Sequence, residues 1–373
     1  MSLATLRLAL VALAATLATA VAPAAENSAR DAAQRVIAEF GLEQAATPVR
    51  QRVGWRKPKR ILVDPYFPGL LSSVRAAAPE VEFIAAVPGQ LARQAADVDA
   101  VIGLCTPEIL AAGKSIRWIG LLNAGVEQCV GLAQVRARDI LVTNMQRIGG
   151  PVAAEHVMAM LLAFTRGLDV YIPAQAKGDW RRNSPSPRTT VIAGKTMLVV
   201  GLGGIGTEVA KRAHALGMRV TATRASSRAG PDYVSYVGTP VELLKLTSQA
   251  DVIVNTAPLT PQTRGMFDAA FFAKMKSSAY FINIARGGSV VTQALVDALK
   301  NNRIAGAAVD VTDPEPLPRD HPLWRLSNVI ITPHVANDSD LGLETQVIVT
   351  TENLRRYVQG ERMLSVVDTA KGY

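Results

Sequence analysis

Short apolar runs separated by stretches of helical period recur along most of the chain. Ile61–Val63, Val81–Ala86, Ala100–Leu104, Trp118–Leu122 and Ile140–Thr143 have strand length, and the residues near Leu70–Ala78 have helical spacing. Continuous apolar strands alternating with helices are the pattern of a parallel sheet covered on both faces. A second series of the same kind starts at Lys195, with strands predicted near Met197–Val200, Arg219–Ala222, Val252–Asn255, Ala279–Ile284, Ala307–Val311 and Val329–Ile331. The two series are separated by Gly149-Gly150 and by an apolar helix opened by Pro151, a residue well suited to a first helical turn. A loop over Gly178–Arg188, with Pro185 and Pro187, interrupts the pattern again. At the ends, Ser28–Leu42 places Ala33, Val36, Ile37 and Phe40 on one helical stripe, and a closing helix is predicted over Asp338–Tyr357. The expectation is an α/β protein built from two Rossmann-like, doubly wound parallel-sheet domains.

Length agrees, since 373 residues exceed what one ordinary core accommodates. The net charge of +9 raises the question of an anionic partner. The basic residues are scattered, however, and the densest stretch, Arg50–Arg60, is short. A solvated basic face, or help in attracting an anionic substrate, fits better than nucleic-acid binding. The N-terminus carries more information. Met1–Arg7 is a short basic segment, Leu8–Ala22 is an apolar run, and Ala22-Pro23-Ala24-Ala25 offers a small-residue cleavage site before Glu26. Residues 1–25 are read as a signal peptide, which implies export, in a bacterium to the periplasm, and no stable membrane insertion after cleavage. An uncleaved anchor is the alternative. Cys105 and Cys129 could pair in an exported protein, but sequence gives no distance between them. Two thiols in partly buried strands or loops is the preferred reading, and no metal site is expected because neither has a second ligand at metal spacing.

Candidate chemistry begins at Gly201-Leu202-Gly203-Gly204-Ile205-Gly206. This G-x-G-x-x-G run follows an apolar strand and opens a helical stretch, the context in which it binds a dinucleotide pyrophosphate. Gly201 permits the tight turn, Gly203 lets backbone approach the phosphates, Gly206 lets helix and strand pack closely, and the N–H groups at Gly204 and Ile205 face the anion. Where a site for NAD places an acidic residue, about 20 residues further on, this chain has Arg224, Ser226 and Arg228 and no carboxylate between Glu208 and Asp232. Those groups suit the 2′-phosphate of NADP, which is favoured over NAD.

Three side chains further along suit reduction of a 2-keto acid. Arg286 stands just past a strand end, Glu315 follows it by 29 residues in a proline-rich loop, and His334 follows Glu315 by 19 residues. Ligands of open α/β sheets sit outside the carboxyl ends of the strands, so the three can converge. His334 could supply a proton to the developing alkoxide, Glu315 could orient the ring, and Arg286 offers a fork for carboxylate and carbonyl oxygens. His156, His214 and His321 are read as structural.

Taken in order, Asn123-Ala124-Gly125-Val126-Glu127, Ala154-Glu155-His156, the glycine turn, Thr256-Ala257-Pro258-Leu259-Thr260, Asn283-Ile284-Ala285-Arg286-Gly287, Asp310–Pro318 and Thr332-Pro333-His334 resemble the D-isomer-specific 2-hydroxy acid dehydrogenase family, over roughly Ile61–Val366. The resemblance implies a substrate domain over residues 60–150 plus 335–373, with a dinucleotide domain over 151–334 inserted into it, after an N-terminal helix and linker over 26–59. It implies Arg286, Glu315 and His334 as the catalytic set and substrate carboxylate binding at the N–H groups of Ala124 and Gly125. Thr256, Ala257, Pro258, Ile284 and Ala285 would line the cofactor cleft, with Asp310 on the nicotinamide amide. It also implies a homodimer, with the helix after Pro151 contributing. Asn337 departs from the small residue common there, and the acid at Glu315 argues against the formate dehydrogenase branch. The expected function is hydride transfer between NAD(P)H and a small 2-keto or D-2-hydroxy acid, of glyoxylate/hydroxypyruvate reductase type. The alternative is a non-turnover cofactor-binding sensor or scaffold.

Overall fold

The computed structural model describes residues 28–180, 189–340 and 342–373. The expected signal peptide, residues 1–25, and most of the predicted proline loop lie outside the described residues. The chain divides into two compact units. One holds the residues up to Asn123 together with Gln128–Met145 and Leu343–Val367; the other holds Ala124–Glu127, Gln146–Gly342 and Asp368–Tyr373.

The first unit contains five strands: β1 (Arg60–Val63), β2 (Glu82–Ala85), β3 (Ala100–Ile102), β4 (Trp118–Gly120) and β5 (Leu141–Thr143). All pairs are parallel, in the order β2-β1-β3-β4-β5. Most of their residues are buried, as expected for strands with helices on both faces. Trp118 is buried, stacks on Tyr357 of the helix Gly342–Gln359 at 4.8 Å, and donates its indole N–H to Thr143 Oγ1 at 3.0 Å. Residues 28–40 are helical, with Ala33 and Val36 facing inward.

Two expectations need correction in this unit. Cys105 and Cys129 are not separate thiols but a disulfide, with their Cα atoms 5.4 Å apart. Cys105 follows β3 and Cys129 lies on the short helix Glu127–Val130 after β4; because β3 and β4 are adjacent and parallel, both arrive at the same end of the sheet. The closing helix starts at Gly342, a few residues later than its apolar period suggests, and runs to Gln359.

The second unit holds β6 (Thr196–Val200), β7 (Arg219–Thr223), β8 (Tyr236–Gly238), β9 (Val252–Asn255), β10 (Tyr280–Asn283), β11 (Gly306–Val309) and β12 (Val329–Ile331). Every pair is again parallel, in the order β12-β11-β10-β9-β6-β7-β8. Strand order reverses at β6, which pairs with β7 on one side and β9 on the other, the topological switch point where α/β folds bind ligands. The strand β8 was not expected: it is three residues long, at the sheet edge, and begins with the exposed Tyr236, so it carries no apolar run. One face of the sheet is covered by the helix Gly150–Thr165, whose Ala153, Val157, Leu161 and Phe164 share a core with Val209, Ala210 and Ala213 of the helix Gly204–Ala215. Another core gathers Phe267, Phe271, Phe272 and Phe281, with ring centroids 4.7–6.0 Å apart.

Candidate active site

The loops after β6, β9, β10, β11 and β12 build the site. At the end of β6, Gly201 has φ +99°, and a Cβ there would lie 2.7 Å from the Ala257 backbone. Only glycine is comfortable in that turn. A Cβ on Gly206 would run into the Gly201 carbonyl, so this glycine lets helix and strand approach. Gly203 differs: a Cβ there would meet nothing within 4 Å, so its backbone borders open space. It caps the helix Gly204–Ala215 with no side-chain hydrogen bond, and the first turn carries no acidic residue. A helix N-terminus without a side-chain cap, entered through a glycine that borders open space, suits an anion such as a pyrophosphate. The residues present therefore fit the phosphates of a dinucleotide.

At the end of β7, Arg224 donates from Nε to Ser226 Oγ at 2.9 Å and from Nη1 to the Ala229 carbonyl at 3.3 Å; Ser226 is exposed and Arg224 half-buried. Arg228, expected beside Arg224 as a phosphate ligand, is otherwise committed. It donates to Tyr236 Oη at 3.0 Å and forms an ion pair with Glu242 at 2.7 Å. Hydrogen bonds from the Tyr236 hydroxyl and the Thr239 N–H, with Arg228 adding to them, hold the Glu242 carboxyl down to about 2. Arg224 and Ser226 thus form the polar pair left to meet a cofactor in this loop.

Strands β9 and β10 each end in a buried asparagine. Asn255 donates to Asn283 Oδ1 at 2.9 Å and to Ser289 Oγ at 2.8 Å, and accepts from Ala257 N–H at 3.1 Å. Asn283 donates to the Arg286 carbonyl at 3.1 Å and accepts from Ala285 N–H, and Ser289 Oγ donates to the Arg286 carbonyl at 2.7 Å. This fully bonded network clamps the backbone on both sides of Arg286. Apolar periodicity does not single out Asn255 or Ser289; the available signal is an Asn closing two successive apolar strands. Thr256 completes the corner by donating to the Gly201 carbonyl at 2.6 Å. Ile284 and Ala285 are buried, while Ile205 is half-buried and Pro258 exposed.

The Arg286 and Glu315 loops meet at Gly287, where a Cβ would overlap the Thr312 carbonyl. Thr312 N–H donates to Glu315 Oε2 at 3.3 Å, and Glu315 Oε1 lies 2.6 Å from His334 Nδ1. Contacts therefore run from Gly287, the neighbour of Arg286 in the chain, through Thr312 and Glu315 to His334. The imidazole is 45% exposed, and Nε2 has no partner among the described residues, so this nitrogen can meet a ligand. His334 sits at φ +58°, a left-handed conformation that a side chain adopts at some cost. The turn is held by Asp310, whose buried carboxylate accepts from Thr332 Oγ1 at 2.6 Å, Val335 N–H at 2.9 Å and Ala336 N–H at 3.0 Å, while its carbonyl accepts from His334 N–H at 2.8 Å. His156 reaches this brace from the helix Gly150–Thr165, with Nε2 3.0 Å from Thr332 Oγ1. The remaining histidines are structural: His214 packs on Tyr233, and His321 Nδ1 accepts from Leu323 N–H at 3.3 Å to cap a short turn.

Residues Ala124–Glu127 belong to the same unit as this centre. A Cβ on Gly125 would overlap Nη2 of Arg286, so the guanidinium lies directly over that glycine. Arg286 Nη1 donates to the Ala285 carbonyl at 2.7 Å, and Nε donates to Glu127 Oε1. Burial raises the Glu127 carboxyl, but the charge and hydrogen bond of Arg286, with local N–H donors, outweigh it and hold the group below the usual carboxylate range. Asn337 packs its amide against Gly149.

These features can be set beside known proteins. Residues 158–336 match the family model for the NAD binding domain of D-isomer specific 2-hydroxyacid dehydrogenases. The chain is 33% identical over 256 residues to a glyoxylate reductase/hydroxypyruvate reductase of Mus musculus, covering 68% of this chain and 78% of that protein. A D-isomer specific 2-hydroxyacid dehydrogenase from Xanthobacter autotrophicus, solved with NADPH and MES, superposes with TM-score 0.74 at 28% identity, over 85% of this chain and all of that one. An NADPH-dependent glyoxylate/hydroxypyruvate reductase from Sinorhizobium meliloti, solved with NADP and sulfate, gives 0.72 at 27% identity over 84% of this chain and 100% of that one. Likeness at this level, across both parallel sheets and most of each relative's length, goes beyond a shared fold: the chain belongs to the D-isomer specific 2-hydroxyacid dehydrogenases, a family of NAD(P)-dependent oxidoreductases.

Proposed function

We propose that the protein reduces a small 2-keto acid to its D-2-hydroxy acid, with NADPH as the preferred cofactor. The observation that carries the reading is the 2.6 Å contact between Glu315 and His334 Nδ1, which leaves Nε2 free to face a substrate. A bound nicotinamide dinucleotide would supply the hydride. His334 donates a proton from Nε2 to the oxygen that becomes the hydroxyl, and Glu315 keeps the ring oriented. Arg286 binds the substrate carboxylate and polarises the carbonyl, and the N–H groups of Ala124 and Gly125 assist it. The Gly203–Gly206 turn would hold the cofactor phosphates, and Arg224 and Ser226 would meet the 2′-phosphate, which supports NADPH over NADH. Relatives named glyoxylate/hydroxypyruvate reductase support substrates of that size.

The test is turnover of glyoxylate and hydroxypyruvate by protein lacking residues 1–25, with NADPH and with NADH. Faster oxidation of NADPH is the expected result. Cofactor binding without turnover across a broad keto-acid panel would replace the enzyme with a sensor.

We also propose export. The disulfide between Cys105 and Cys129 supports an oxidising compartment, and cell fractionation with and without residues 1–25 tests it. A homodimer is proposed on the exposed apolar residues Leu168, Tyr171 and Ile172 of the helix Leu168–Gln175, with Trp180 just beyond. Sedimentation of an Ile172→Lys variant, expected as monomer, checks it.

A further inference from the structure

We infer that Glu127 sets the charge class of the substrate, admitting 2-keto monocarboxylates and rejecting 2-keto diacids. The inference rests on the reading of Arg286 as the substrate arginine and adds a residue to it. Arg286 is not a bare cation: Nε is held by Glu127, Nη1 by its own Ala285 carbonyl, and Nη2 lies over Gly125. The Glu127 side chain is 32% exposed and that of Arg286 31%, so the pair is open to water and to an incoming anion. Glu127 Oε2 would lie 3.2 Å from a Cβ on Gly125, which puts a carboxylate oxygen beside the backbone proposed to receive the substrate carboxylate.

Two consequences follow from charge alone. The recess holds one cation and one anion before substrate arrives, so a monocarboxylate leaves it with a single negative excess. A second carboxylate on the substrate would bring a further negative charge to a pair already neutral without it, in surroundings less polar than water, and its repulsion by Glu127 disfavours binding by about tenfold to a hundredfold. Glu127 is also an acceptor with no proton to donate. A hydroxyl or other N–H or O–H donor beside the keto group suits it, whereas another anion does not.

The experiment compares glyoxylate, hydroxypyruvate and oxaloacetate as substrates for the wild-type protein and Glu127→Gln, with thermal melts to verify folding. In the wild type, kcat/KM is expected to be at least about tenfold lower for oxaloacetate than for hydroxypyruvate. In Glu127→Gln that gap closes by about tenfold, through KM for the diacid. A gap unchanged by the substitution overturns the inference. A second measurement needs no variant: calorimetric titration of the NADP-loaded wild-type protein with acetate and with malonate. Weaker binding of malonate supports the inference, and tighter binding overturns it. If the wild type reduces no 2-keto acid with either cofactor, the dehydrogenase reading fails, and the acetate–malonate comparison still decides the role of Glu127.

Discussion

Two carboxylate–cation clusters in different parts of the molecule illustrate opposite uses of the same chemistry. In the helix Gly342–Gln359, Glu352 receives two hydrogen bonds from Arg355 and one from Arg356, and the Glu352 and Arg356 side chains are both 6% exposed. Arg356 also donates to the Arg362 carbonyl at 2.8 Å, and Arg355 to Glu361 at 2.7 and 2.9 Å. At the strand ends of the second unit, Glu315 and His334 are close to half exposed, and the imidazole keeps one nitrogen for a ligand. Saturation marks the first cluster as structural, whereas the open valence of the second is what its proposed chemical role requires. Proximity of opposite charges does not distinguish them.

The largest expected effect tests the open cluster. His334→Ala should lower kcat by about a hundredfold to ten-thousandfold, the usual worth of a positioned acid or base. NADPH affinity and the melting temperature should hardly change, because the ring is half exposed and the glycine turn proposed to hold the cofactor phosphates is on another loop. Steady-state kinetics with fluorescence titration of NADPH checks both halves. Retained turnover would turn this cluster into a second structural one.

The saturated cluster should respond in the opposite way. Glu352→Gln removes one charge and leaves Arg356 buried, a change expected to cost about 3–5 kcal/mol of stability, measured by urea unfolding, with little effect on kcat at low temperature. Burial raises the Glu352 carboxyl, but hydrogen bonds from Arg355 and Arg356 outweigh it and hold the group below the usual range. A carboxylate depressed by folding stabilises fully above its unfolded pKa, about 4.3, and that contribution fades as pH falls through the folded value. The wild type should therefore lose stability below about pH 4.3 more steeply than the variant. Parallel curves would show that other carboxylates dominate acid unfolding.

How far each cluster could be read in the sequence follows the same division. The glycine turn, Arg286, Glu315 and His334 stand just after apolar strands, and parallel pairing alone carries them to one end of a sheet. Glu352, Arg355 and Arg356 look like any charged helix face; only the packing of that helix shows which charges are buried. The disulfide was hidden for a related reason, since adjacency of β3 and β4 cannot be read across a sequence separation of 24. The engagement of Arg228 by Tyr236 and Glu242 depended on β8, an edge strand too short to carry a period, and on the turn after it. Asn255 and Ser289 act through a network whose partners lie 28 and 34 residues away. Local pattern gives elements and strand ends, whereas long-range polar pairing needs coordinates.

A similar contrast within one loop should appear in cofactor affinity. Arg224→Asp places a like charge against a 2′-phosphate and removes a charge-assisted bond, so NADPH affinity should fall by about tenfold to a hundredfold, with a smaller change for NADH. Arg228→Ala, already held by Glu242 and Tyr236, should do much less to either cofactor. Equal losses of NADPH and NADH in Arg224→Asp would remove the preference for NADPH.

The smallest expected effect is on stability at the open cluster. Glu315→Gln should change the unfolding free energy by less than about 1 kcal/mol, because both partners are solvated and the variant keeps an acceptor for the Thr312 N–H. Turnover should nevertheless fall, since the amide no longer holds Nδ1 of His334 with a charge. A double-mutant cycle of Glu315→Gln with His334→Ala separates the two roles. If the pair acts as one unit in the reaction, the losses in kcat should be far from additive while the changes in stability simply add. Additive losses in kcat would mean that Glu315 acts on something other than the histidine, and the geometry at Nδ1 would then be a surface ion pair of the ordinary weak kind.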